Sequence, residues 1–153
     1  MKLGVIAVGR KMPAWVQSAC ADYEKRLPSR WRFQTKELAQ GKGASSDVIM
    51  LREANQILES VSDKAHVVAL DNRGASLSTA QLSQQLAKWQ ELGKNVELII
   101  GGADGLHASV VSRADQMWSL SPLTFPHPLV RVILVEQLYR AQSLLDGHPY
   151  HRA

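Results

Sequence analysis

The sequence predicts an α/β fold: a mostly parallel sheet flanked by helices. Three observations carry that expectation. Short apolar runs, KLGVIAV at 2–8, HVVALD at 66–71 and NVELII at 95–100, read as buried strands. The stretches between them place apolar residues at helical spacing. Strand and helix then alternate through the whole chain, as parallel strands joined by crossover helices require. No internal repeat, linker or low-complexity segment interrupts the 153 residues, so one domain is expected.

The elements follow in order. Gly4 is a soft spot in the first strand. Trp15, Val16, Ala19, Cys20, Tyr23 and Leu27 mark an amphipathic helix over 13–27, with Pro13 in its first turn and Pro28 as its stop. WRFQTKEL at 31–38 alternates as a half-exposed strand. AQGKGASS at 39–46 is a small-residue loop, and Ser46 and Asp47 start a helix over 47–62. After the 66–71 strand, Asn72-Arg73-Gly74 turns the chain. Ser78 and Gln81 form a capping box for a helix at 79–92, which Gly93 ends. The strand at 95–100 is followed by a short helix at 106–113, a strand at 115–120 and a final helix at 128–145.

Composition narrows the function. A single Cys20 excludes an internal disulfide and fits a reducing, cytoplasmic setting. No Cys/His spacing suggests zinc. The apolar run at 3–8 is too short for a secretory or membrane segment, so no membrane partner is expected. The net charge is +4, and Lys25, Arg26, Arg30, Arg32 and Lys36 fall in a stretch without acids. Such a cluster is either a phosphate footprint or an ordinary solvated face.

Three strand ends stand out. Gly101-Gly102-Ala103-Asp104-Gly105 joins a strand to a helix, where α/β sheets bind ligands. Its spacing is neither a dinucleotide fingerprint nor a P-loop, and taken alone it is equally a tight turn. Leu70, at the end of the 66–71 strand, offers an apolar wall and main-chain contacts, or simply precedes a turn. Leu120, Ser121, Pro122, Leu123, Thr124 and Phe125 make a stiff, apolar, proline-rich loop expected to be buried against something. It suits an uncharged flat heterocycle; the alternative is a rigid core loop. Paired carboxylates and a nucleophile elbow are missing from these loops. A site of glycines, prolines and aliphatics needs a cofactor that brings its own reactivity.

Two further regions carry chemistry. HPYHR at 148–152 concentrates Tyr150, His151 and Arg152, which can move protons and pair with phosphate; a frayed polar tail is the alternative. The last helix is apolar almost all round, which suggests a partner subunit. Arg131 follows the proline loop as a candidate phosphate contact, and Glu136 and Arg140 have the spacing of an ordinary helix pair.

The blocks KLGVIAVGRKMP, LDNRG, LIIGGADG, LSPLTFPHPLVRVILVEQLYRA and HPYHR, in this order, resemble the RlmH family across essentially the whole chain. These are bacterial methyltransferases acting on N3 of a pseudouridine in 23S ribosomal RNA. The resemblance implies a single SPOUT methyltransferase domain over 1–153, with a C-terminal trefoil knot that no composition or spacing reveals. It implies S-adenosyl-L-methionine gripped at Leu70, Gly101, Gly102 and Leu120 to Phe125, with no metal. It implies a homodimer working on the ribosome in the cytoplasm, Tyr150 and His151 as catalytic candidates, and Arg131 and Arg152 as RNA contacts. Family members often carry Lys after the glycine of LDxxG; here it is Ala75. Two alternatives stay open: a SPOUT methyltransferase with another RNA target, and a non-catalytic ribosome-associated binding protein. A Rossmann-type nucleotide protein is disfavoured by the glycine spacing.

Overall fold

A computed structural model describes residues 1–151, apart from the His151 side chain. The elements run β1 (Leu3–Val8), α1 (Ala14–Glu24), β2 (Gln34–Leu38), α2 (Ser46–Ser60), β3 (His66–Ser76), α3 (Thr79–Leu92), β4 (Val96–Ile100), α4 (Ala108–Arg113), β5 (Gln116–Ser119) and α5 (His127–Asp146). The five strands form one sheet in the order β2-β1-β4-β3-β5, with every pairing parallel.

Strand alternation sorts side chains onto two faces. Leu3, Val5 and Ala7 of β1, Val68 of β3 and Leu98 and Ile100 of β4 pack with Trp31, Leu86, Trp89, Leu134 and Leu138 beneath α3 and α5. Ile6 and Val8, Val67 and Ala69, and Ile99 face the other way, onto Ala54 and Ile57 of α2 and Val110 of α4. Each fully buried aliphatic side chain contributes roughly 1.5–3 kcal/mol. Trp89 and Trp118 stack with ring centroids 5.5 Å apart, tying α3 to edge strand β5.

Most boundaries agree with the sequence reading within two or three residues. The capping box of α3 is present, Ser78 accepting from the Gln81 amide and Gln81 from the Ser78 amide, and Gly93 ends the helix in the left-handed region. Three expectations change. The strand expected from residue 31 begins at Gln34, because Ser29–Trp31 forms a 3-10 turn that buries Trp31. Helix α2 is capped by Ser45 rather than by Ser46 and Asp47. Asn72-Arg73-Gly74 does not end β3. The strand pairs with Trp118 at Leu70, loops out, and pairs with Trp118 again at Ala75. Gly74 makes this possible: a Cβ there would lie 2.5–2.6 Å from backbone atoms of Met117 and Trp118.

Candidate active site

The carboxyl ends of β4, β3 and β5 are neighbours, and their loops enclose two adjoining cavities of about 380 and 250 Å³. Leu70, Gly102, Phe125 and Val130 line both. Gly101 lines the first, while Leu120, Ser121, Leu123 and Thr124 line the second. The structure thus brings together eight of the nine residues singled out along these loops; Pro122 points to solvent and lines neither cavity. The combined space falls in the size range of small-molecule sites, about 300–1,000 Å³.

The proline loop is not a core loop. Leu123 is 72% exposed and Pro122 and Pro126 are exposed. Its shape comes from its own serines: Ser119 Oγ donates to the Ser121 carbonyl at 3.0 Å, and Ser121 Oγ accepts from the Leu123 amide at 3.0 Å. The apolar side chains therefore wall an open cleft instead of filling an interior. In the facing turn, the Gly105 amide donates to the Gly102 carbonyl at 3.0 Å, with Gly105 at φ +87°. A Cβ on Gly102 would sit 2.8 Å from a carboxylate oxygen of Glu53, so any larger residue would have to displace that buried side chain.

Histidine and arginine at the start of α5 hold this geometry. His127 Nδ1 donates to the Gly101 carbonyl at 2.9 Å, and His127 Nε2 accepts from Arg131 Nε at 3.1 Å. A carbonyl only accepts and a guanidinium only donates, so the imidazole is neutral with its proton on Nδ1. Burial, and then the charge of Arg131, hold its pKa below the ordinary histidine value. Arg131 also donates to the Gly9 carbonyl at 2.6 Å and pairs with Glu37. This overturns Arg131 as a phosphate contact: it is 5% exposed and its donors are committed inside the fold. The His127–Arg131 pair was visible as an i, i+4 spacing within PHPLVR; nothing in the sequence tied it to Glu37 or Gly9.

The cleft wall is electrically quiet. Arg73 donates from its backbone and its side chain to Asp71 at 2.8–2.9 Å, and these contacts hold the Asp71 carboxyl below the usual range. A neutral, largely apolar wall with nearby backbone groups matches a flat uncharged heterocycle. Among the described residues no three His, Cys, Asp or Glu side chains converge as a metal set.

The tail lies elsewhere. The Tyr150 hydroxyl is 3.2 Å from both Glu136 and the Tyr23 hydroxyl, and its ring packs 4.5 Å from that of Tyr139. Burial, Tyr23 and Glu136 together push its pKa well up, so it is a neutral phenol. Glu136 is nine residues along α5 from His127, about 14 Å at 1.5 Å per residue. Tyr150 therefore does not line the cleft of its own protomer. The His151 side chain and Arg152 lie outside the described residues. Part of the basic cluster shares this far end: Arg26 lies within 6 Å of the Tyr23 and Tyr139 rings, Lys25 and Arg26 pair with Asp22, and Arg30 donates to Gln90. Glu136 and Arg140 form the expected helix pair at 2.7 Å.

Comparison with known proteins agrees with this architecture. A family model described as predicted SPOUT methyltransferase matches residues 1–151. The chain is 51% identical to a ribosomal RNA large subunit methyltransferase H from Thioalkalivibrio sulfidiphilus, with 99% of each chain covered. It is 49% identical to the protein of the same name from Hahella chejuensis, again over 99% of both. A solved methylase family protein from Haemophilus influenzae Rd KW20 superposes with a TM-score of 0.57 at 8% identity, covering 99% of this chain and 70% of that one. Another, from Neisseria gonorrhoeae, gives 0.54 at 13% identity, covering 90% and 81%. An all-parallel sheet with its cleft at the β3, β4 and β5 ends, matched along its length by these relatives, belongs to the SPOUT methyltransferase family.

Proposed function

We propose that the chain is an S-adenosyl-L-methionine-dependent methyltransferase acting on N3 of a pseudouridine in 23S ribosomal RNA. The observation that carries this reading is the convergence of Leu70, Gly101–Gly102, Leu120, Ser121 and Leu123–Phe125 on one largely apolar cleft, in a chain matched end to end by ribosomal RNA methyltransferases. Leu70, Leu120, Leu123 and Phe125 would wall the adenine, with backbone groups of the three loops reading its edge. Gly101 and Gly102 would let the main chain approach the rest of the cofactor closely. When bound, the cofactor supplies an electrophilic methyl, so the protein's task is to orient the base and accept a proton. Ideal positioning alone is worth on the order of 7–11 kcal/mol. The segment at 120–126 would be threaded as the family's trefoil knot.

The tail completes the site from a second copy of the chain. Tyr150 is carried about 14 Å along α5 from the cleft of its own protomer, so its place in catalysis is the cleft of a homodimer partner. As a neutral phenol, Tyr150 donates to a carbonyl of the base and orders it. His151 takes the N3 proton as the methyl is transferred, and Arg152 holds phosphate. Docking of the same RNA would draw on the Lys25–Lys36 cluster of both subunits. Work on ribosomal RNA implies the cytoplasm, as the lone cysteine also suggests.

Transfer of labelled methyl to ribosomes from cells lacking the protein tests the reading, with a truncation after Asp146 beside the full chain. The full chain should label 23S RNA. The truncated chain should still bind cofactor in calorimetry and transfer nothing. Full transfer by the truncation, in a protein that folds and dimerises, removes the tail from catalysis.

A further inference from the structure

We propose, on the strength of that RNA methyltransferase reading, that Arg10 and Lys11 form a phosphate-binding lip of the cofactor cleft. Their ligand is the sugar–phosphate backbone of the RNA strand that carries the target base.

Position comes first. β1 pairs with β4 in parallel, Ala7 opposite Ile100, so the chain leaves β1 beside the glycine turn. Arg131 donates to the Gly9 carbonyl, Arg131 Nε bonds His127, and His127 donates to the Gly101 carbonyl. One guanidinium and one imidazole separate the lip from the cofactor turn.

Availability comes second. Of the cations near this edge, Arg73 is committed to Asp71, and Arg131 is buried against Glu37. Arg10 and Lys11 are exposed, and among the described residues neither makes an ion pair or a side-chain hydrogen bond. Of the Lys25–Lys36 cluster, Lys25, Arg26 and Arg30 sit at the other end of α1, toward Tyr150. The chain leaving β1 beside the glycine turn therefore carries its own free positive charge.

Form comes third. Lys11 is held at φ 59°, a left-handed conformation rare for lysine, two residues after Gly9 at φ 119°. Both flanks are anchored: the Gly9 amide donates to the Leu38 carbonyl at 2.7 Å, and the Gln17 side chain donates to the Met12 carbonyl at 2.7 Å. Backbone strain of this kind persists where surroundings fix it and clusters at ligand clamps. Two uncommitted cations on an anchored backbone meet a polyanion with little reorganisation, and phosphate contacts set register without reading sequence.

The test is the pair Arg10→Gln, Lys11→Asn, made together. Asparagine tolerates the left-handed backbone, so the loop keeps its shape. Binding to a 23S RNA fragment is measured across a salt series, and cofactor affinity by calorimetry. The variant should bind cofactor as the wild type does, bind RNA about tenfold more weakly, and lose about 1.4 from the slope of log affinity against log salt, the share of two single-strand phosphates. Arg10→Lys with Lys11→Arg should restore both. An unchanged slope, or a cofactor affinity that falls in step with RNA affinity, overturns the lip. Weaker binding to whole ribosomes with unaltered binding to naked RNA assigns these residues to a ribosomal protein and overturns it equally. Failure of the wild type to methylate ribosomes at all is a separate result, which removes the underlying reading and the lip with it.

Discussion

Replacing Arg131 by alanine should loosen the proposed cofactor cleft from inside. The side chain is 5% exposed and serves three acceptors: the Gly9 carbonyl, His127 Nε2 and Glu37. Removing one member of a fully buried pair costs about 3–5 kcal/mol. Here the Glu37 side chain is 40% exposed and regains water, so that share is discounted. What remains is a buried carbonyl and an imidazole nitrogen without donors, at about 1–3 kcal/mol each. The expected loss is about 2–6 kcal/mol, or roughly 4–24 °C in Tm for a domain of this size. Because His127 would lose its partner while still holding Gly101, cofactor affinity should fall by about tenfold or more. Thermal unfolding followed by circular dichroism, and calorimetry with S-adenosylmethionine, read the two effects. Arg131→Lys, which keeps the charge but cannot reach all three acceptors, should fall between. A loss under about 0.5 kcal/mol with cofactor affinity intact would falsify the reasoning, since that is the ordinary range for surface substitutions.

Three further expectations follow from single contacts. Leu123→Ser should leave Tm unchanged, because Leu123 is already 72% exposed, yet weaken cofactor binding by about 1–2 kcal/mol, five- to thirtyfold, read by calorimetry; a fall in Tm with unchanged affinity would contradict its place on the cleft wall. Gly74→Ala should cost about 1–3 kcal/mol as an overpacked site, since the new Cβ meets the unyielding backbone of Met117 and Trp118 at 2.5–2.6 Å; a Tm within about 1 °C of wild type would rule out that close approach. Finally, the depressed pKa of His127 means that the unfolded chain takes up this proton more readily than the folded one. Its contribution to stability is complete above about pH 6.5 and is lost as the pH falls toward the lower folded value. His127→Gln should remove that part of the acid dependence from a pH series of denaturant unfolding, and an unaltered pH slope would mean that His127 is not the group responsible.

How much of this was legible in the sequence differs by element. The strands β1, β3 and β4 announce themselves as apolar runs, because a parallel sheet covered on both faces leaves little room for polar residues. The start of α3 was readable from Ser78 and Gln81, whose bonds are local. The cleft residues were readable for a different reason: glycine and proline at strand ends carry conformational meaning by themselves, and the family resemblance assigned them a cofactor. What failed was non-local. The looped excursion of β3 depends on Gly74 meeting the backbone of β5, some forty residues away in sequence. The burial of Arg131 depends on Glu37 from β2 and Gly9 just after β1, neither of which its neighbours in sequence foretell. Sequence alone left the proline loop open between core and ligand, because apolar composition does not distinguish a core loop from the wall of an open cleft. Tyr150 was readable as chemistry but not as placement, because only the fold shows it packed on Tyr23 and Tyr139 at the far end of α5.

The most direct test of the central claim is to identify the methylated atom. Ribosomes from cells lacking the protein would be incubated with the purified chain and S-adenosylmethionine labelled in its methyl group, and the modified nucleotide located by mass spectrometry of RNA fragments. The cleft, the tail and the family together predict label in 23S RNA alone, on N3 of a pseudouridine. Label on a ribose hydroxyl or in transfer RNA would assign the same fold to another target, and absence of label with tight cofactor binding would make the chain a binding protein.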